Sequence, residues 1–159
     1  MNIAICEDNE KEAVQLKLML ENYMPHSLLI SDIDIYSNAT SFLESEKIYD
    51  LVVFDCKLPD IDGVEAAKIF RKKNSVAAII FITAFLEYAT GGYEVDALRF
   101  LLKPVNPKKL AEALVALEFK SNTLLSILQL SCALGCFLAP YYVQSKFLGL
   151  LLKHLHNLG

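Results

Sequence analysis

Apolar residues fall into short runs, and four of these runs end on a polar residue capable of chemistry. Ile3-Ala4-Ile5-Cys6 leads into Glu7-Asp8, and Leu51-Val52-Val53-Phe54 into Asp55. Ala78-Ile79-Ile80-Phe81-Ile82 leads into Thr83, and Ala97-Leu98-Arg99-Phe100-Leu101-Leu102 into Lys103-Pro104. Runs this short and rich in Ile, Val and Phe read as strands, and the three fully apolar ones as central strands covered on both faces. Residues 29–36 alternate less regularly and predict an outer strand ending at Tyr36.

Helical patterns lie between the runs. Asn9 with Glu12 three positions later reads as an N-cap and N3, opening a helix whose inner face is Ala13, Leu16, Leu20 and Tyr23, with Pro25 as its stop. Asn38 caps a short helix through Phe42 and Leu43. Asp62-Gly63-Val64-Glu65 opens a third helix reaching about Lys73. Residues 86–95 give a weaker helical signal because of Gly91-Gly92. Asn106-Pro107 gives a cap and a proline at N1, followed by an inner face of Leu110, Ala113, Leu114 and Leu117. The alternation predicts an α/β fold: a doubly wound five-stranded parallel sheet, order 2-1-3-4-5, with flanking helices. In that order the first and third strands are neighbours at the switch point, and ligands bind outside the carboxyl ends of the strands. Glu7, Asp8 and Asp55 are expected to converge there, with Thr83 and Lys103 at neighbouring strand ends.

Charge divides the chain more sharply than its net value of −4 suggests. Residues 1–120 hold 13 basic and all 19 acidic residues, whereas 121–159 hold only Lys146 and Lys153. The expected organisation is a domain over 1–120 and a hydrophobic, helical tail over 121–159, native, truncated or frame-altered. The acidic balance and a tail with two lysines and two histidines argue against direct DNA binding. Leu124, Leu125, Leu128, Leu134, Phe137 and Leu138 can line one apolar face, which needs cover on the domain, on a second copy as a homodimer, or in a membrane. Cys6 and Cys56 sit at strand ends, and no secretory signal precedes the first strand, so a reduced, cytoplasmic setting is expected. Cys132 and Cys136, one helical turn apart with no second ligand pair, read as small buried residues rather than a zinc site.

Three carboxylates brought together repel one another, and either a raised pKa or a bound divalent cation resolves this. A hard cation such as Mg²⁺ suits an all-oxygen donor set and neutralises phosphoryl oxygens. Asp55 is then placed as a nucleophile forming an aspartyl phosphate, Thr83 as a hydrogen-bond donor to a phosphoryl oxygen, and Lys103 as a partner of the acidic cluster or the phosphoryl group. Each residue alone has an ordinary reading as a helix cap, a loop residue or a solvated lysine. Their joint placement at strand ends carries the argument.

Glu7-Asp8, Asp55 with Leu58-Pro59 and Asp62-Gly63, Thr83-Ala84, and Lys103-Pro104 together resemble the motif set of response-regulator receiver domains, over residues 1 to about 118. The resemblance implies phosphotransfer from a sensor histidine kinase to Asp55. It also implies Mg²⁺ held directly by Asp8 and Asp55, through water by Glu7, and by the Lys57 carbonyl. Phe100 falls on the family's aromatic switch position, and Thr83 with Phe100 would respond to phosphorylation. Residues 93–104 are further similar to receivers that carry a LytTR-type DNA-binding domain, which the uncharged tail does not resemble. The implied function is a phosphorylation-controlled switch acting on partners or transcription, not a metabolic enzyme. A phosphorylation-independent interaction module is an alternative. An aspartate-nucleophile phosphatase is disfavoured by Lys57, which stands where the dehalogenase-type enzymes need a second Asp. No glycine-rich phosphate loop supports nucleotide binding.

Overall fold

The computed structural model describes residues 1–85, 88 and 94–133, with 121–133 described as backbone. Five strands, β1 (Asn2–Cys6), β2 (Asp32–Tyr36), β3 (Leu51–Phe54), β4 (Ala78–Thr83) and β5 (Arg99–Leu102), form one parallel sheet in the order β2-β1-β3-β4-β5. Helices among the described residues include α1 (Glu10–Tyr23), α2 (Ala39–Glu44), α3 (Gly63–Lys73) and α4 (Pro107–Ala133). The expected doubly wound sheet is therefore present, with every residue of β3 and β4 buried.

Burial on both faces explains why the central runs show no alternation. Ala4, Val52, Phe54, Ile79 and Phe81 enter one core layer with Phe42, Ala67 and Phe70. Ile3, Ile5, Leu51, Val53, Ile80 and Ile82 enter the other with Leu16, Leu20, Leu110 and Leu114. The first layer is aromatic: Phe42 meets Tyr36, Tyr49, Phe54 and Phe70, and Phe54, Phe81 and Phe100 continue the series across the sheet. Such ring pairs each add about 0.5–1.5 kcal/mol beyond the area they bury.

The helix starts are set locally. Asn9 accepts from the Lys11 and Glu12 amides, Asn38 from Ser41, Asp62 from Val64, and Asn106 from Lys108 and Lys109. The expected inner faces of α1 and α4 are buried, except that Tyr23 is exposed in the last turn of α1. Two strands are shorter than the pattern predicts. Residues 29–31 are tied to Met1, whose amino group donates to Leu29 O and whose carbonyl accepts from the Ser31 amide, but they lie outside β2. Asp96 adopts a φ of 51°, so the chain turns before Ala97 and β5 begins only at Arg99.

The 86–95 pattern falls mostly, and the 134–159 part of the tail wholly, outside the described residues; so does Cys136. The chain divides into compact units at Met1–Phe119 and Lys120–Gly159. Among the described residues no helix is long and apolar enough to cross a membrane.

One glycine permits the approach of α3 to the end of β3. A Cβ on Gly63 would lie 2.0 Å from the Asp55 carbonyl oxygen and 2.9 Å from Cys56 Cα, while the Gly63 amide donates to the Cys56 carbonyl at 2.8 Å. Any side chain here pushes α3 away from the strand end that carries Asp55. Gly63→Ala is expected to cost on the order of 3 kcal/mol, read as a lower urea midpoint at unchanged slope.

Candidate functional site

The site lies at the carboxyl edge of the sheet, where β1 and β3 are neighbours. Cys6 is in register with Phe54, so Glu7 and Asp55 leave adjacent strands side by side, and the Asp55 amide still donates to the Cys6 carbonyl at 2.8 Å. Asp8, next to the buried Glu7, is exposed ahead of α1. One carboxylate oxygen each from Glu7, Asp8 and Asp55 lies within 4.8 Å of the others. On the other side, Thr83 ends β4 in register with Leu102, and the Lys103 amide donates to the Thr83 carbonyl at 2.9 Å. That ladder carries Lys103 back over the acids.

Lys103 Nζ donates to Asp55 Oδ2 at 2.6 Å and to Glu7 Oε2 at 2.7 Å, and pairs with Glu12 Oε2 at 2.7 Å. Glu7 and Asp55 are buried, at 4% and 8% exposure, so this ammonium supplies the countercharge that water does not. Burial pushes Glu7 above the usual carboxylate range, against the pull of Lys103, and the neighbouring Asp55 charge adds to the rise. Burial alone would lower the Lys103 pKa, but its hydrogen bonds to Asp55, Glu12 and Glu7 outweigh that and raise it. Lys103 is thus a permanent cation. Asp8 is exposed, and no described cation pairs with it.

The loop after β3 is held on both sides. Asp55 Oδ1 accepts from the Lys57 amide at 3.1 Å. Asp60 accepts from the amides of Ala39 at 3.0 Å and Thr40 at 2.7 Å and from the Thr40 hydroxyl, anchoring the loop to the start of α2. These bonds outweigh its partial desolvation and hold the Asp60 carboxyl well below the usual range. Lys57 Nζ lies 5.0 Å from the centroid of the Phe85 ring.

Thr83 is fully buried, and its Oγ1 accepts from the Phe85 amide at 3.4 Å. Burial pushes the Cys56 thiol up to about 12, with a hydrogen bond to Thr83 acting the other way, so Cys56 is an inert thiol beside the site. Phe100 is set apart from the acids: it is half-buried opposite Phe81 on β4, with ring centroids 5.9 Å apart.

The structure therefore brings Glu7, Asp8, Asp55 and Lys103 into one cluster, with Thr83 on its border and Phe100 one strand out. Glu12 and Asp60 join the site without having been singled out for it. Glu12 was read as the partner of the Asn9 cap; it does accept from Asn9 Nδ2 at 3.1 Å, but the Asn9 amide donates to Glu7 Oε1, and the second Glu12 oxygen goes to Lys103. No local pattern announces that long-range pair.

The response regulator receiver domain matches residues 3–115. The sensory transduction protein LytT of Bacillus anthracis is 32% identical over 114 residues, covering 72% of this chain and 46% of that protein. The positive alginate biosynthesis regulatory protein of Pseudomonas aeruginosa is 30% identical over the same length, with the same coverage of both. The chain thus spans about half the length of these relatives. Among solved structures, the response regulator TrrA of Thermotoga maritima in complex with Mg²⁺ and BeF is 28% identical with a TM-score of 0.63, covering 73% of this chain and 97% of that one. A CheY-like receiver domain from Methanospirillum hungatei is 25% identical with a TM-score of 0.64, covering 77% and 97%. With the family matched over most of its length and its strand-end residues gathered in one crevice, the chain belongs to the response regulator receiver domains of two-component systems.

Proposed function

We propose that Asp55 is the phosphoacceptor of this receiver domain and that Glu7, Asp8, Asp55 and the Lys57 carbonyl hold the Mg²⁺ it uses. Receiver domains are signalling switches that bind Mg²⁺ at an acidic pocket and interact with sensor histidine kinases. The observation that carries the finer reading is the convergence of three carboxylates within 4.8 Å beside a lysine bonded to two of them. All donors are oxygens and one member is exposed, which suits a hard cation retaining several waters. Mg²⁺, when bound, supplies positive charge that screens the phosphoryl oxygens from the acids.

The residues of the chain do the rest. An Asp55 carboxylate oxygen attacks phosphorus as the phosphorus–nitrogen bond of a phosphohistidine breaks. The leaving imidazole keeps the electron pair and takes a proton. The Lys57 amide orients Asp55 through Oδ1. Lys103 donates to a phosphoryl oxygen, and the Thr83 hydroxyl turns from its present contacts to a second one. Lys103 and Thr83 are joined through the β4–β5 ladder, where Phe81 faces Phe100, so a change at the site bears on the β5 edge. The output is a changed partner surface, a shift between two populations.

Incubation with acetyl phosphate and Mg²⁺ is expected to add one acid-stable, base-labile phosphoryl group, and Asp55→Asn to abolish it. Mass spectrometry decides this, and uptake at the wild-type rate by the variant overturns the assignment.

Mg²⁺ is expected to stabilise the protein by about 1.4 kcal/mol, a Tm rise of ~5 °C, at roughly ten times Kd. Asp8→Asn should remove most of that gain. The folded-state pKa of Glu7 is raised, so ionising it costs stability as pH rises through its titration, and the cation offsets that cost. The Tm gain should therefore be larger at neutral pH than in the ordinary glutamate range near pH ~4.3. A pH-independent gain argues against Glu7 as part of the site.

Thr83→Ala and Lys103→Ala should still take up some phosphate but blunt the response, measured as phosphate-dependent amide shifts over residues 94–102. Shifts equal to those of wild type in both variants would exclude the two residues from signal transmission.

A further inference from the structure

An ammonium group has three N–H donors and no acceptor. Lys103 has three carboxylate oxygens within reach: Glu7 Oε2 at 2.7 Å, Asp55 Oδ2 at 2.6 Å and Glu12 Oε2 at 2.7 Å. Three anionic acceptors thus face its three donors, and a phosphoryl oxygen arriving on Asp55 competes for Lys103 with the contacts already there.

The three partners are unequal. The side chains of Glu7 and Asp55 are 4% and 10% exposed, whereas that of Glu12 is 45% exposed. A buried carboxylate stripped of its countercharge has little water to replace it, and an exposed one rehydrates at small cost. Glu12 also keeps a second anchor, the Asn9 side-chain amide on its other oxygen, so releasing Lys103 leaves it placed. It stands outside the group of three acids that can share a cation.

We infer that Glu12 is a positioning residue that holds Lys103 in reserve, and that its contact with the ammonium competes with the phosphoryl group. The inference rests on the phosphoacceptor reading of Asp55 and adds to it a residue of α1 that sets how tightly a phosphoryl group is held. The competition is direct: one N–H, two anionic acceptors. Replacing the Glu12 carboxylate by a neutral amide weakens its hold on the donor and strengthens phosphoryl binding. Shortening the side chain does the same while keeping the charge in the first turn of α1.

The test uses the full chain at saturating Mg²⁺ with beryllium fluoride as the phosphoryl mimic, titrated by NMR or calorimetry. Glu12→Gln and Glu12→Asp are each expected to bind it about three- to tenfold more tightly than wild type. The KM for acetyl phosphate should fall in proportion, and Glu21→Gln on the same helix should change neither quantity. Thermal melts confirm that each variant is folded. Wild-type binding with no gain, or a loss, in Glu12→Gln overturns the role of Glu12 and leaves the phosphoacceptor reading standing. A gain in Glu12→Gln that is absent from Glu12→Asp shows a general charge effect and overturns it equally. Failure of wild type and every variant to bind the mimic removes the phosphoacceptor reading, and this inference with it.

Discussion

One ammonium group makes the crevice tenable. Glu7 and Asp55 leave neighbouring strands as buried anions, and Lys103, delivered from the far side of the sheet, is bonded to both. Without it the strand ends would carry two desolvated like charges, a cost of several kcal/mol. The sequence separation of 48 residues between Lys103 and Asp55, and of 96 between Lys103 and Glu7, means that only the assembled sheet can supply this pairing. The site and the fold therefore depend on each other.

The rest of the molecule is arranged to keep that geometry. Two apolar layers clamp β3 and β4, so the residues just past them have little freedom. Gly63 lets α3 close on the Asp55 carbonyl, and Asp60 ties the intervening loop to α2. Thr83 and Lys103 share a backbone hydrogen bond at the end of the β4–β5 pairing, and two pairs back toward the sheet interior in the same ladder lie Phe81 and Phe100. In the proposed switch, the movement of Lys103 toward a phosphoryl oxygen acts on the residue that closes that ladder. The backbone bond between Thr83 and Lys103 thus links the crevice to the β4–β5 edge that carries Phe100.

Much of this is legible in the sequence. Apolar runs of strand length, each ending on a reactive residue, identified the central strands and the acids. Asn9, Asn38, Asp62 and Asn106 announced the helix starts, because capping is a local bond between a side chain and an amide two or three residues on. Local pattern and structure part where a partner is remote. Residues 29–31 looked like strand because they are extended, yet they bond to Met1 outside β2. The rest of that stretch is the expected outer strand ending at Tyr36, and its charges Asp32 and Asp34 are met by Lys47, a residue beyond α2. Tyr23 kept the helical period and still ended in solvent, since α1 reaches its last turn there.

The sequence by itself determined the order of elements, the parallel sheet and the residues Glu7, Asp8, Asp55, Thr83 and Lys103, because periodicity and capping act over a few residues and a strand end marks its own next residue. Tertiary structure decided how those residues are bonded. That Lys103 spends its donors on three carboxylates, that Glu12 serves α1 and the crevice at once, and that Gly63 is required by an oxygen 2.0 Å from its missing side chain are facts of packing between distant segments. No local pattern encodes them, since each depends on two stretches of chain that meet only when the sheet has formed.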